Sequence, residues 1–85
     1  MEPNQAGFIV YVLRSIVDHK RYIGYTNNLE RRLKEHNSGH TKSTKLRAPF
    51  VVSYEETVSS VIEARAREKY FKTSAGRRFL TSIGK

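Results

Sequence analysis

Between Tyr22 and His36 the chain runs from a short strand, through a polar break, into a helix whose inward face carries an arginine and a histidine. A residue advances about 100° around an α-helix, so Leu29, Arg32, Leu33 and His36 share one face by their i, i+3, i+4, i+7 spacing. Glu30, Arg31, Lys34 and Glu35 take the opposite side. Arg31 therefore points to solvent and Arg32 points inward beside two leucines. A partly buried guanidinium needs a carboxylate or a bound anion. A structural ion pair, or an arginine stem lying along the core edge, satisfies this helix as well as a phosphate site does.

The rest of the chain reads as partners for that helix. Phe8 to Leu13 is apolar, β-branched and aromatic, and predicts a buried strand. Ser15 to Lys20 is a polar turn, and Arg21 to Tyr25 a second strand close enough for an antiparallel hairpin. Asn27 or Asn28 can cap the helix and Gly39 can end it. A basic loop from His40 to Pro49 carries Lys42, Lys45 and Arg47. Phe50 to Glu55 alternates as a third strand. Ser60 with Glu63 makes a capping box that opens a helix to about Thr73. Ala75-Gly76 predicts a break, and Arg77 to Ile83 a short last helix. Residues 1–6 read as a frayed end. The order β-β-α-β-α-α makes an α+β fold, a small mixed sheet with helices packed against it.

Eighty-five residues predict one domain over 1–85 with its core at about 8–80. Sixteen Lys and Arg against eight Asp and Glu give a net charge of +8. That excess suits a partner with condensed counterions, and nucleic acid is the expectation. No apolar run is long enough to span a bilayer. The amino-terminal residues lack the basic and apolar regions of a secretory signal. The expected location is cytoplasmic, with no membrane partner.

Three further features bear on chemistry. Val61, Ala64, Glu68 and Phe71 form one stripe of the second long helix, and Glu68 is its only charge. A pair with Arg65 or Lys72 explains it, and so does an oxygen ligand for Mg²⁺, which keeps most of its waters. Tyr11 and Tyr22 can share one face of the hairpin, either as ordinary core aromatics or as site residues, and Gly24 allows a close approach there. His36 and His40 have the spacing of a metal pair, but Gly39 interrupts the helix and the chain has no cysteine, so a zinc site is not expected. Neither a nucleophile elbow nor a glycine-rich phosphate loop is present, and no small-molecule cofactor is expected.

Ile9-Val10-Tyr11, Tyr22-Ile23-Gly24, the run TNNLERRLKEH and the later ARAREKYFK together resemble the GIY-YIG nuclease superfamily. The resemblance covers Phe8 to about Leu80. It is nearest to small stand-alone members similar to the amino-terminal nuclease domain of a DNA-repair excinuclease. Isoleucine replaces the glycine usual in the first motif, and no asparagine follows Asn37 to match a late one used by some members. The resemblance implies a three-stranded antiparallel sheet flanked by helices, and metal-dependent hydrolysis of phosphodiester bonds in DNA, branched or damaged DNA included. It implies that Glu68 holds one Mg²⁺ or Mn²⁺ and that Arg32 binds the scissile phosphate. Tyr11 would be general base, Tyr22 would assist, and His36, with His40 or Lys42, would add polar contacts. Lys42, Lys45, Arg47, Arg77 and Arg78 are the candidate DNA contacts, the three arginines at the rim of the cleft. A free tyrosine is almost wholly protonated at neutral pH. Either nearby cations lower its pKa or the proton passes through a neutral network. The alternative function is a nucleic-acid-binding module, weakly active or inactive, on the same scaffold. A small basic protein that meets an acidic protein partner is a third reading.

Overall fold

The computed structural model describes residues 7–85, so the expectation for residues 1–6 lies outside the described part. Three strands, β1 (Phe8–Ser15), β2 (Arg21–Thr26) and β3 (Phe50–Val58), form one antiparallel sheet in the order β2-β1-β3. Helix α1 (Leu29–Asn37) follows β2, and α2 (Val61–Phe71) and α3 (Ser74–Ser82) follow β3. The chain order is β-β-α-β-α-α, as the sequence predicts. β1 is central and covered on both faces, which explains its unbroken apolar run: Val10, Tyr11, Val12 and Leu13 are all buried.

Alternation along β1 divides the interior in two. Val10 and Val12 face α2 and α3, in a cluster with Ile23, Ala64, Phe71 and Leu80. Tyr11 and Leu13 face α1, in a cluster with Phe50 that Ile9, Tyr22, Leu29 and Leu33 border. Between Val12 and Leu13 the β1–β3 register shifts, with Val12 opposite Tyr54 and Leu13 opposite Val52. Ser53 is the extra residue of this bulge.

The caps follow the sequence in outline and depart from it in detail. Asn28 Oδ1 accepts from Arg31 N at 3.0 Å and starts α1. Gly39 has φ +84°, the left-handed conformation expected just past the helix. Asn37 pins the end of α1 to β3: its amide accepts from Phe50 N at 2.7 Å and donates to Phe50 O at 3.1 Å. At α2, Ser60 Oγ accepts from Glu63 N at 3.1 Å, but Glu63 Oε1 returns to Ser59 N (2.9 Å) rather than to Ser60.

The predicted break at Ala75-Gly76 does not occur. α2 ends at Phe71, Thr73 caps α3, and Ala75 and Gly76 lie within α3. Gly76 is a packing residue, because a Cβ on it would fall 2.1 Å from Tyr70 O. Its lack of a side chain lets α3 fold back onto the end of α2.

Candidate active site

The two tripeptides form one structural unit. β1 and β2 pair so that Tyr11 stands opposite Gly24 and Leu13 opposite Tyr22. The Tyr11 ring lies across the β2 backbone at Gly24. A Cβ there would come within 2.6 Å of the phenol oxygen and 2.8 Å of Cζ. Glycine at 24 is therefore what allows Tyr11 its position.

His36 arrives from the last turn of α1 and is fully buried. Its Nε2 lies 3.3 Å from Tyr11 Oη and its Nδ1 lies 2.9 Å from Thr44 Oγ1. Thr44 is buried too, and its hydroxyl also lies 3.3 Å from the carbonyl oxygen of Thr41, which can only accept. The Thr44 proton goes to that carbonyl, so Thr44 accepts from His36 Nδ1–H. His36 Nε2 is then unprotonated and accepts from the Tyr11 hydroxyl. The tautomer is assigned from this network, since it gives every donor an acceptor. The His36 ring packs against Tyr22 at 4.8 Å between centroids and Phe50 at 6.0 Å. Burial, followed by the positive charge of Arg32, lowers the His36 pKa below its ordinary 6.5, and Glu35 partly opposes this. The imidazole is neutral at neutral pH.

Burial raises the Tyr11 pKa above its ordinary 10.0, and Arg32 pulls it back. Tyr22 and Glu68 add smaller upward contributions. Arg32 acts on Tyr11 by hydrogen bonding and then by its charge, while its short hydrogen bond is the one to Glu35 Oε1 at 2.8 Å. Arg32 comes from α1 on one face of the sheet and Glu68 from α2 on the other, yet both charges are felt at one phenol.

Each charge has a local partner. Arg32 is 30% exposed and bound to Glu35, which raises its pKa, and Glu68 is 26% exposed with Lys72 Nζ at 3.0 Å. Helical surface pairs of this kind are worth about 0–1 kcal/mol. A phosphate oxygen can displace Glu35 from Arg32, and a cation can displace Lys72 from Glu68, at little cost. The donor set suits a hydrated divalent ion better than a zinc cage. Glu68 is a lone carboxylate, and among the described residues no three His, Cys, Asp or Glu side chains cluster. The zinc pair is absent for a further reason: His36 has both nitrogens engaged, and His40 lies exposed beyond the helix.

The expected DNA contacts separate into three groups. Lys42 and Lys45 are exposed on the loop after α1. Arg47 is a structural staple and not a rim residue. Its guanidinium binds Asp18 at 3.0 Å and the Arg21 carbonyl at 3.3 Å, and it covers the Phe50 ring at 5.4 Å. A loop arginine three residues before β3 reads as free in one dimension, but the sheet brings the β1–β2 turn to it. Arg77 lines a cleft beside β2, while Arg78 faces a shallow hollow along α3 with Ser74, Thr81 and Ser82. Three residues of the site went unpredicted: Glu35, Thr41 and Thr44. Glu35 is visible at i+3 from Arg32, but nothing local marks Thr44 as the partner of His36.

Residues 7–79 match the GIY-YIG catalytic domain. The chain belongs to the GIY-YIG family. Its relatives include a UPF0213 protein of Bacillus licheniformis, 45% identical over 73 residues that span 85% of this chain and 72% of that protein. A UPF0213 protein of Staphylococcus haemolyticus is 41% identical over 75 residues, 87% of this chain and 90% of the relative. The solution NMR structure of a UPF0213 protein from Bacillus halodurans superposes with a TM-score of 0.55 at 32% identity, covering 91% of this chain and 84% of the other. Within the GIY-YIG frame, the departure at Ile9 is harmless to the geometry. Ile9 sits opposite Thr26 and borders the α1-side cluster, whereas the close approach depends on Gly24.

Proposed function

We propose that this GIY-YIG protein is a divalent-metal-dependent DNA endonuclease in which the Tyr11–His36 pair takes the proton of the attacking water. One observation carries the reading. A polar chain, Tyr11–His36–Thr44, is buried where apolar side chains would fill the same space, and it sets an imidazole nitrogen 3.3 Å from a phenol. Burying such groups costs free energy that packing alone does not require.

The chemistry follows from the groups. Arg32 grips a nonbridging oxygen of the scissile phosphate as Glu35 gives way. The raised pKa of Tyr11 means the phenol is protonated at rest, so a standing phenolate is not the base. Tyr11 Oη accepts the water proton while its own proton passes to His36 Nε2. Thr44 Oγ1, already bonded to Nδ1–H, steadies the imidazolium that forms. Tyr22 holds the His36 ring from the side. Glu68 is the ligand for one Mg²⁺ or Mn²⁺, which supplies charge neutralisation at the phosphate when bound.

The test is cleavage of supercoiled plasmid and branched DNA with Mg²⁺ or Mn²⁺, comparing the parent with Glu68→Gln and Arg32→Ala. Expected is metal-dependent nicking that both variants lose. A pure parent protein that leaves all these substrates intact would end the proposal, and equal nicking by parent and variants would mean a contaminant. The Glu68–Lys72 bond favours a second reading, a binding module whose carboxylate never takes a metal. That reading predicts DNA affinity indifferent to EDTA and no cleavage.

A further inference from the structure

A cleft of about 580 Å³ beside β2 is lined by Arg14, Lys20, Arg21, Lys72 and Arg77, with Tyr22 in its wall. None of its lining residues is a carboxylate. Of four described acidic residues that pair with cations, Asp18, Glu35 and Glu56 bind Arg47, Arg31 and Arg32, and Arg67 away from the cleft, and Glu68 bonds the cleft residue Lys72. Arg14 and Arg21 are direct partners across the β1–β2 ladder. Like charges in that position oppose pairing, and apolar or opposite charges there would serve the hairpin better. Arg77 adds a third guanidinium from α3. Burial and the charges of Arg14 and Arg77 all push the Arg21 pKa down.

These side chains are held in place. Arg14 Nη1 donates to the His19 carbonyl at 2.6 Å, and Arg21 Nη2 donates to Thr81 Oγ1 at 3.0 Å. The backbone oxygen of Lys85 receives both arginines, with Arg21 Nε at 3.4 Å and Ser53 Oγ at 3.1 Å. Arg14 and Arg21 are thus held by acceptors within the fold, and Lys20 and Arg77 are the cleft cations that stand exposed beside them. Two residues link the cleft to the candidate active site. Tyr22 lies in its wall and against His36, and Lys72 lines it while bonding Glu68.

We propose that this cleft is a second phosphate subsite, which holds the backbone of the DNA strand flanking the scissile phosphate. It rests on the nuclease reading only for the identity of that scissile phosphate. A strand seated at Arg32 and Glu68 passes Lys72 and enters the cleft, where Lys20 and Arg77, backed by the charges of Arg14 and Arg21, meet its next phosphates. The grip is on backbone charge and carries no sequence preference.

The test is DNA binding in EDTA, monitored by fluorescence anisotropy over a range of salt concentrations with a labelled duplex. Lys20 and Arg77 are exposed, so Lys20→Ala/Arg77→Ala leaves the core intact. Losing two phosphate contacts should flatten the plot of log affinity against log salt by about 1.8, at roughly 0.9 per contact. The control, Arg31→Ala/Lys34→Ala on the exposed side of α1, removes equal charge and should leave the slope unchanged. A cleft variant with the parent's slope, or a control that loses as much, overturns the proposal. So does inorganic phosphate that protects the parent from thermal unfolding in a Lys20- and Arg77-dependent way while the DNA slope is unaffected, since the cleft would then serve a small anion. Cleavage is scored separately: an inactive parent whose slope falls in the cleft variant defeats the nuclease and keeps the subsite.

Discussion

The two faces of the sheet are built from the same strands and do opposite things. On the α2–α3 face, Phe71 is buried against Tyr54 at 5.8 Å and Phe79 at 6.2 Å, and its cluster is apolar. Arg67 closes the edge of that face, bound to Glu56 and lying 4.8 Å over the Phe71 ring. On the α1 face, Tyr11, His36 and Thr44 occupy equally buried positions with polar groups bonded to one another. The interior of the α2–α3 face is held by apolar packing. The other face gives up some of that packing to hold a hydrogen-bonded chain beside a strand edge.

Substitutions can break this contrast. Phe71→Ala has the largest expected effect, about 3–5 kcal/mol of lost stability in urea unfolding. A chain of 85 residues has little reserve, and activity should disappear only together with the fold. Tyr11→Phe should do the reverse. It lowers cleavage by roughly 10²–10⁴, the usual worth of acid–base catalysis, for about 1–2 kcal/mol of stability. Comparable unfolding by both variants would mean that the α1 face is simply core.

Gly24→Ala sharpens the comparison at one atom. The new methyl must displace the Tyr11 phenol, and a misplacement near 1 Å costs about 10²-fold in rate. Tyr11→Phe/Gly24→Ala should then be no slower than Tyr11→Phe alone; additive losses would show that Gly24 acts on something else.

The pH dependence is the smallest effect and has a definite sign. His36 has a lowered pKa, so the folded protein prefers it neutral, and its favourable contribution is complete above 6.5. As the pH falls through 6.5 the unfolded chain takes up the proton first, and stability drops until the folded pKa is passed. Cleavage should likewise be level near neutrality and decline on the acid side of 6.5, where Nε2 becomes protonated. His36→Gln should abolish that part of the stability profile, measurable by denaturation at several pH values. A parent profile flat down to the carboxylate range would refute the His36 assignment.

The sequence by itself determined the order of elements, the inward side of α1 and the antiparallel hairpin, because periodicity and cap chemistry are local. It placed Arg32 and His36 on the inward face of α1. Gly76 shows where local rules fail: glycine in a helix reads as a breaker until the Tyr70 carbonyl is seen packed against it. Thr44 could not be found in advance, since its partner is eight residues away across an irregular loop whose path the sheet fixes. Arg47 reads as a free cation for the same reason, and the cross-strand meeting of Arg14 with Arg21 needs a register that only the folded hairpin sets. Tertiary structure decided which charges find partners within the fold. Electrostatic partners are chosen by distance through space, and a linear chain does not specify that distance.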